Sequence, residues 1–254
     1  MKYSLVIDLG NTSVKYAVFA GEKYICQTKI IIDDKSFLKT KNRLSEMLVN
    51  NKLEASDFSD AILFSVVPSL NKTISKFVSS VFKLKPKVFD AKVAKKLPEG
   101  VPLETGSDLL ADMCGGEHFY GFPLLVVDLG TVTKFIFIGE KKELVGCSFM
   151  PGMDGSLKSM TKQTALLPHL RIEKPEQEIG RNTIECMKSG VYYSTIASLE
   201  HFKKVAQESY PNIKTVVTGG YSEVIKDDLG DAIYDPLLTL KGMNEIRLIL
   251  QKGI

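Results

Sequence analysis

The sequence predicts an α/β protein made of two similar domains in tandem, and two observations carry that reading. A short motif recurs nearly half a chain apart, and after each copy β-hairpin signals give way to alternating helix and strand signals. Leu5-Val6-Ile7-Asp8-Leu9-Gly10-Asn11-Thr12 is echoed by Leu125-Val126-Val127-Asp128-Leu129-Gly130-Thr131-Val132. Each copy is an apolar run, then Asp-Leu-Gly, then a small hydroxyl or amide residue. The offset from position 8 to position 128 is 120 residues in a chain of 254, far longer than a solenoid period, so it marks paired domains rather than an array.

The elements follow in order. Val14 to Phe19 alternates and runs into a Gly21-Glu22-Lys23 turn, which reads as a hairpin, and Thr133 to Ile138 followed by Gly139-Glu140-Lys141 reads the same way. Each half therefore begins strand, turn, strand, turn, strand. Ala61 to Val67 is a buried-strand run, and Leu70, Ile74, Phe77, Val78 and Val81 share one helical face after it. Ser107 to His118 suits a helix with Asp108 in its first turn and Leu110, Met113 and Cys114 facing inward. In the second half, Thr183 to about Ala206 suits a long helix, apolar at Ile184, Met187, Val191, Leu199 and Phe202. It leads into the strand Ile213 to Val217, and Asn244 to Leu250 closes the chain as a helix. Gly121 and Pro123 punctuate the boundary, so the expected domains are 1–120 and 121–254.

Composition excludes several function classes. With 44% hydrophobic and 25% charged residues the chain is an ordinary globular one, and its net charge of +3 is dispersed rather than gathered into a nucleic-acid-binding face. The N-terminal apolar stretch is broken by Asp8 before it reaches the length of a signal core or membrane span. Cys26, Cys114, Cys147 and Cys186 are far apart and read as reduced thiols, mostly in or near the core, and His118, His169 and His201 have no metal-ligand spacing. A cytoplasmic protein is expected.

A glycine just past a strand-terminal aspartate permits a tight turn whose backbone N–H groups cradle phosphate oxygens. The first such cradle runs over Asp8, Leu9, Gly10, Asn11, Thr12, Ser13 and Val14 to Lys15, whose ammonium reaches a transferring phosphate; Asp8 suits Mg²⁺ held through water. One Asp-Leu-Gly alone reads equally well as a plain hairpin turn. Two copies with the same flanking strands favour two phosphate loops meeting one nucleotide across an interdomain cleft. Thr218-Gly219-Gly220 ends a buried strand, where paired glycines either let backbone approach a flat ligand such as adenine or make a plain strand-to-helix turn. The Walker loop, GxGxxG and the protein-kinase motif set are absent from the sequence.

The order Asp8-Leu9-Gly10-Asn11-Thr12, Gly106-Ser107-Asp108, Asp128-Leu129-Gly130-Thr131, Pro151-Gly152, Gly180-Arg181-Asn182-Thr183, Ser189-Gly190 and Thr218-Gly219-Gly220 resembles the type III pantothenate kinases. The closing Tyr234-Asp235-Pro236-Leu237-Leu238-Thr239-Leu240-Lys241-Gly242 does too, so the resemblance covers essentially the whole chain. It implies two actin-like (ribonuclease H-like) domains of the acetate kinase, sugar kinase and actin superfamily. It further implies a homodimer, Mg²⁺ with ATP, a monovalent cation (K⁺ or ammonium), and pantothenate bound partly at the subunit interface. The implied reaction is ATP-dependent phosphorylation of pantothenate to 4′-phosphopantothenate, the first step of coenzyme A biosynthesis.

The resemblance also implies residue roles. Asp8 to Lys15 form the first phosphate loop, Thr131, Gly219 and Gly220 contact ATP, and Asp128 holds the monovalent cation. Gly106, Ser107, Asp108 and Leu109 line the pantothenate site, Thr183 bonds pantothenate, and Asp108 is the catalytic base. Without the resemblance, Asp108 reads as a first-turn carboxylate that merely suits the helix dipole. The chain departs from the family pattern at Leu109, where an Arg is usual, at Glu99, where a Tyr is frequent, and at Thr133-Lys134, where Thr-Thr is more frequent. Losing the Arg removes a bidentate donor for a carboxylate, and Lys134 and Arg181 are candidate substitutes. Two other readings stay open: a kinase for another small hydroxy acid, and a catalytically weak nucleotide-binding regulator.

Overall fold

A computed structural model describes residues 2–32, 36–89, 105–163 and 170–252. Among these residues, one compact unit holds 2–89, 105–115 and 239–252, and the other holds 116–238. The division thus falls inside a helix rather than at Gly121, and the closing helix, expected with the second half, belongs to the first unit.

The first unit is a five-stranded sheet with helices. Strands β1 (Tyr3–Leu9), β2 (Ser13–Ala20) and β3 (Lys23–Ile31) form an antiparallel meander; α1 (Ser36–Asn50), β4 (Phe58–Ser65), α2 (Asn71–Phe82) and β5 (Lys87–Val88) follow. The spatial order is β3-β2-β1-β4-β5, with β4 parallel to β1 and β5 parallel to β4. Leu5, Ile7, Leu9, Tyr16 and Val18 pack with Leu44, Ile74, Phe77 and Val78 on one side. Val6, Ala17, Phe19, Ile62 and Phe64, which alternate with that set, are buried as well. A sheet covered on both faces reads as continuous apolar runs, as β1 and β4 do.

Next comes α3 (Ser107–Tyr120), which runs from the first unit into the second, whose sheet uses β6 (Leu124–Leu129), β7 (Val132–Ile138) and β8 (Leu144–Pro151). It continues with α4 (Met153–Gln163), α5 (Thr183–Ser209), β9 (Lys214–Thr218) and β10 (Ile233–Tyr234). Its order, β10-β9-β6-β7-β8, with β6–β7 and β7–β8 antiparallel and β9 parallel to β6, repeats the first sheet strand for strand. The fold is therefore α/β, two tandem sheets of the actin-like, ribonuclease H-like kind. The last helix, α6 (Leu238–Gln251), begins six residues before the expected Asn244, because Asp235 closes the turn ahead of it: Leu237 N–H donates to Asp235 Oδ1 at 3.1 Å and Leu238 N–H to Asp235 O at 3.2 Å.

All four cysteines are free, and Cys114 is buried while Cys186 is exposed. Of the expected inward face of α5, Met187, Val191 and Leu199 are buried and Ile184 is exposed. No helix among the described residues is long and apolar enough to cross a membrane.

Candidate active site

In the first unit, Asp8 is the next-to-last residue of β1 and faces Lys15 across the ladder. Lys15 Nζ lies 3.1 Å from Asp8 Oδ2. The turn between them is closed by Gly10 N–H donating to Ser13 O at 3.0 Å, while Leu9 O accepts Val66 N–H at 3.1 Å and Thr12 O accepts Ile32 N–H at 3.0 Å. Asn11 and Thr12 are left at the exposed tip. One strand further, β3 sets Lys29 opposite Lys15, so Asp8, Lys15 and Lys29 form a row across three strands. The Lys29 ammonium is held below the ordinary lysine range, first by partial burial and then by the like charge of Lys15, with Asp8 opposing both.

Lys29 was not legible in the sequence. The hairpin turn sets Phe19 against Tyr24, and a bulge after that pair slips the register by one residue. Without the slip, Lys15 would face Thr28 and Lys29 would point to the other side of the sheet.

The second unit repeats the arrangement with a tighter and drier pair. Asp128 faces Lys134 across β6 and β7, with Lys134 Nζ 2.6 Å from Asp128 Oδ2. Their side chains are 10% and 13% exposed, against 16% for Asp8 and 24% for Lys15. The second turn is one residue shorter, so Lys134 stands at the position of Lys15 although the spacing from its aspartate differs, and the sequence hides the equivalence.

Two glycines let backbone close on this turn. A Cβ on Gly152 would lie 2.2 Å from Gly130 O, and its N–H donates to Thr131 O at 3.1 Å. Gly219 takes φ +97°, and a Cβ there would meet Asp128 Oδ1 at 2.4 Å and Leu129 N at 2.5 Å, so only glycine fits. Thr131 and Gly220 are exposed. Thr218, the parallel neighbour of Asp128, and Thr133 bury hydroxyls without a hydrogen-bond partner among the described residues. An unmet buried hydroxyl costs about 1–3 kcal/mol, so both are suited to a polar ligand or water.

The candidate base sits at the start of α3 in the first unit. Gly106 O accepts Leu110 N–H at 3.2 Å and opens the helix, and Asp108 Oδ1 accepts Leu109 N–H at 2.9 Å. A Cβ on Gly106 would lie 2.6 Å from Asp108 Oδ1, so the glycine makes room for the carboxylate to fold over the helix end. That Cβ would lie 3.8 Å from Val66 Cγ1, and Val66 N–H donates to Leu9 O, so Gly106 sits beside the strand that leads into the first loop. Leu109 is 7% exposed, an apolar residue of the interior rather than the wall of an open acid-binding site. Ser107 is buried as well.

One turn along α3, Asp112 is fully buried and accepts the Thr239 hydroxyl at 2.6 Å. Gly242 of α6 lies against the Ala111 carbonyl, where a Cβ would approach to 1.8 Å. The Thr239 to Gly242 signature, which carried no role in the sequence, is thus the clamp that seats α3.

Thr183 is exposed at the first turn of α5. Asn182 caps that helix by accepting Glu185 N–H at 3.0 Å, and Arg181 N–H donates to Glu185 Oε2 at 2.8 Å. Gly180 packs where a Cβ would be 2.3 Å from Cys186 N, so the Gly180 to Thr183 signature is a capping unit. The ammonium of Lys134, one proposed substitute for the missing arginine, is engaged by Asp128. Glu99 lies outside the described residues.

The geometry is that of two Asp-Leu-Gly hairpins and a carboxylate on a clamped helix, and comparison with known proteins decides the family. A family model described as type III pantothenate kinase matches residues 4–204. The chain belongs to the type III pantothenate kinases. A type III pantothenate kinase of Agathobacter rectalis is 32% identical over 262 residues, covering 98% of this chain and 99% of the relative. The activity is therefore ATP-dependent phosphorylation of pantothenate, in coenzyme A biosynthesis.

Among solved structures, a Baf family transcriptional activator of Campylobacter jejuni aligns over 98% of this chain and 100% of its own, with TM-score 0.59 and 18% identity. Component A of the (R)-2-hydroxyglutaryl-CoA dehydratase of Acidaminococcus fermentans aligns over 100% and 99%, with TM-score 0.54 and 13% identity. At these identities the likeness is one of fold.

Proposed function

We propose that this pantothenate kinase transfers the γ-phosphate of ATP to the pantothenate hydroxyl, with Asp108 as base. The row Asp8, Lys15 and Lys29 would bind the phosphates, and Thr131, Gly219 and Gly220 would contact the nucleotide. The observation that carries this reading is the carboxylate of Asp108, held by Leu109 N–H at the start of a helix that packs against α6.

Phosphoryl transfer passes through a loose transition state, so the protein acts mainly by positioning groups and stabilising charge. Asp108 accepts the hydroxyl proton as the acceptor oxygen bonds to phosphorus and the γ-phosphate leaves ADP. Its hydrogen bond from Leu109 N–H fixes the carboxylate, and the helix N-terminus favours its negative charge. Lys15 and Lys29 exceed the single charge of Asp8, so the row meets phosphate oxygens with a net positive charge. Asp8, an oxygen donor with part of its surface open, fits Mg²⁺ held through water, and Mg²⁺ on ATP neutralises charge on the phosphates.

Asp128 does not fit a K⁺ or ammonium ion in the same way, because an ammonium from Lys134 already stands on it. Gly106 and Ser107 would border the acceptor, and Thr183 would bond pantothenate from the rim of α5. Leu109 is buried, so it leaves the pantothenate carboxylate to be met elsewhere. The family resemblance supports a homodimer in the cytoplasm, and light scattering of the purified protein tests the dimer.

An ADP-release assay with and without pantothenate tests the reaction, and Asp108→Asn tests the base. The variant is expected to lose about 10²- to 10⁴-fold in kcat while ATP still binds, as a lost positioned base does. More than about a tenth of wild-type turnover would remove Asp108 from that role.

A further inference from the structure

We infer that Lys134 is a built-in cation: its ammonium takes the place on Asp128 that the family resemblance gives to K⁺ or free ammonium, so this enzyme works without a monovalent cation. The inference concerns the second phosphate loop of the proposed kinase and rests on that reading.

Three observations carry it. Lys134 Nζ is 2.6 Å from Asp128 Oδ2, a full charge-assisted hydrogen bond rather than a distant pairing. Both side chains are close to nine-tenths removed from solvent, which opposes exchange of the ammonium for a hydrated ion. The other carboxylate oxygen is crowded by backbone, since even a Cβ on Gly219 would come within 2.4 Å of Asp128 Oδ1. One carboxylate has one unit of charge to offer, and a second monovalent cation beside the ammonium would meet like charge in a dry site.

The chemistry of the replacement is close. A lysine side chain ends in an ammonium, so the chain supplies covalently the ion that a smaller residue at 134 would leave to solution. The β6–β7 register fixes the placement, because Asp128 and Lys134 are directly opposed in the ladder and project from the same face. Lys15 makes the same approach to Asp8, but at 3.1 Å and with more of both side chains exposed, which leaves that carboxylate open to Mg²⁺.

The test uses the full-length protein exchanged into choline chloride at fixed ionic strength, with KCl, NH₄Cl or more choline chloride added. Two readouts are taken, pantothenate-dependent ADP release and the thermal midpoint in the presence of ATP and Mg²⁺. For the wild type, K⁺ and ammonium should change the rate by less than about twofold and leave the midpoint where choline leaves it. Lys134→Ala and Lys134→Thr should lose about a hundredfold in rate in choline, and NH₄Cl or KCl should restore at least about tenfold and raise the midpoint.

Stimulation of the wild type by about tenfold or more, or a cation-dependent rise in its midpoint, would overturn the inference. If neither variant folds, the wild-type titration decides alone. Absence of pantothenate turnover under every cation, with the midpoint pattern intact, would refute the acceptor while sustaining Lys134 as the internal cation.

Discussion

Replacing Gly242 by alanine tests whether α6 seats α3, the helix that carries the proposed base Asp108. In the native packing a Cβ at position 242 would stand 1.8 Å from Ala111 O, 2.7 Å from Ala111 C and 2.9 Å from Gly115 N. All three are backbone atoms of α3, so no side-chain rotation relieves the contact. Such a contact needs at least 3.0 Å, so α6 and α3 must separate by about 1.2 Å there. Asp108 lies three residues before Ala111 on the same rigid helix, and the displacement reaches it nearly undiminished. Overpacking of this kind costs about 1–3 kcal/mol, and misplacing a reacting group by about 1 Å costs up to about 10²-fold in rate.

The expected result for Gly242→Ala is therefore a thermal midpoint lower by several degrees and a kcat reduced by about ten- to a hundredfold, with ATP affinity little changed. Calorimetry and ADP release on one preparation measure both. A Gly242→Ala enzyme with wild-type midpoint and wild-type kcat would refute the clamp. Wild-type kcat with a lowered midpoint would leave the clamp as a stabilising contact that does not position Asp108.

Two further outcomes follow. Lys29→Ala should raise the KM for ATP about three- to tenfold with kcat largely kept, and the effect should shrink as salt rises, because a lysine that keeps part of its surface in solvent acts through a partly screened charge; an unchanged KM at low salt would take Lys29 out of the phosphate row. Asp228 and Asp231 are held below the usual carboxylate range, Asp228 by hydrogen bonds from Lys174 and Tyr192 and Asp231 by Lys203. A depressed carboxylate contributes stability above its unfolded pKa and loses it as pH falls, so the thermal midpoint should hold down to about pH 4 and drop below it, less steeply in Lys203→Met. An equally steep fall in that variant would remove the Lys203 pair as a cause.

The repeat was legible because both hairpins spell the same aspartate, glycine and apolar strand. The meander, the buried fourth strand and the inward face of α3 followed from turn signals and periodicity. Three features did not. The one-residue difference between the two turns concealed that Lys134 matches Lys15, since the match lives in the ladder register and not in the spacing. The bulge that brings Lys29 beside Lys15 depends on how β3 accommodates its turn, which no local pattern specifies. The placement of α6 was lost for a similar reason: its apolar face predicts a partner, but Thr239 and Gly242 find theirs on α3, more than 120 positions away. Leu109 reads as a missing arginine in the sequence, whereas at 7% exposure the position would have to bury that charge.

The two hairpins share a register and divide the electrostatic work. The first row runs acid, lysine, lysine, and its surplus positive charge sits beside an exposed turn, which suits an anion that arrives and leaves. The second runs acid, lysine and then Phe149, so its charges cancel and the pair is drier. A buried ion pair is weak evidence for stability, because desolvation offsets much of the attraction. Holding Asp128 and Lys134 in that state is better understood as fixing a shape: the carboxylate holds the ammonium, Gly219 closes against the carboxylate, and Gly152 closes against the turn carbonyls. Removing Lys134 would leave a buried anion that the backbone cannot neutralise. The second loop would then either loosen around water or recruit a cation from solution, and the second of these is the outcome that the Lys134 variants are designed to detect.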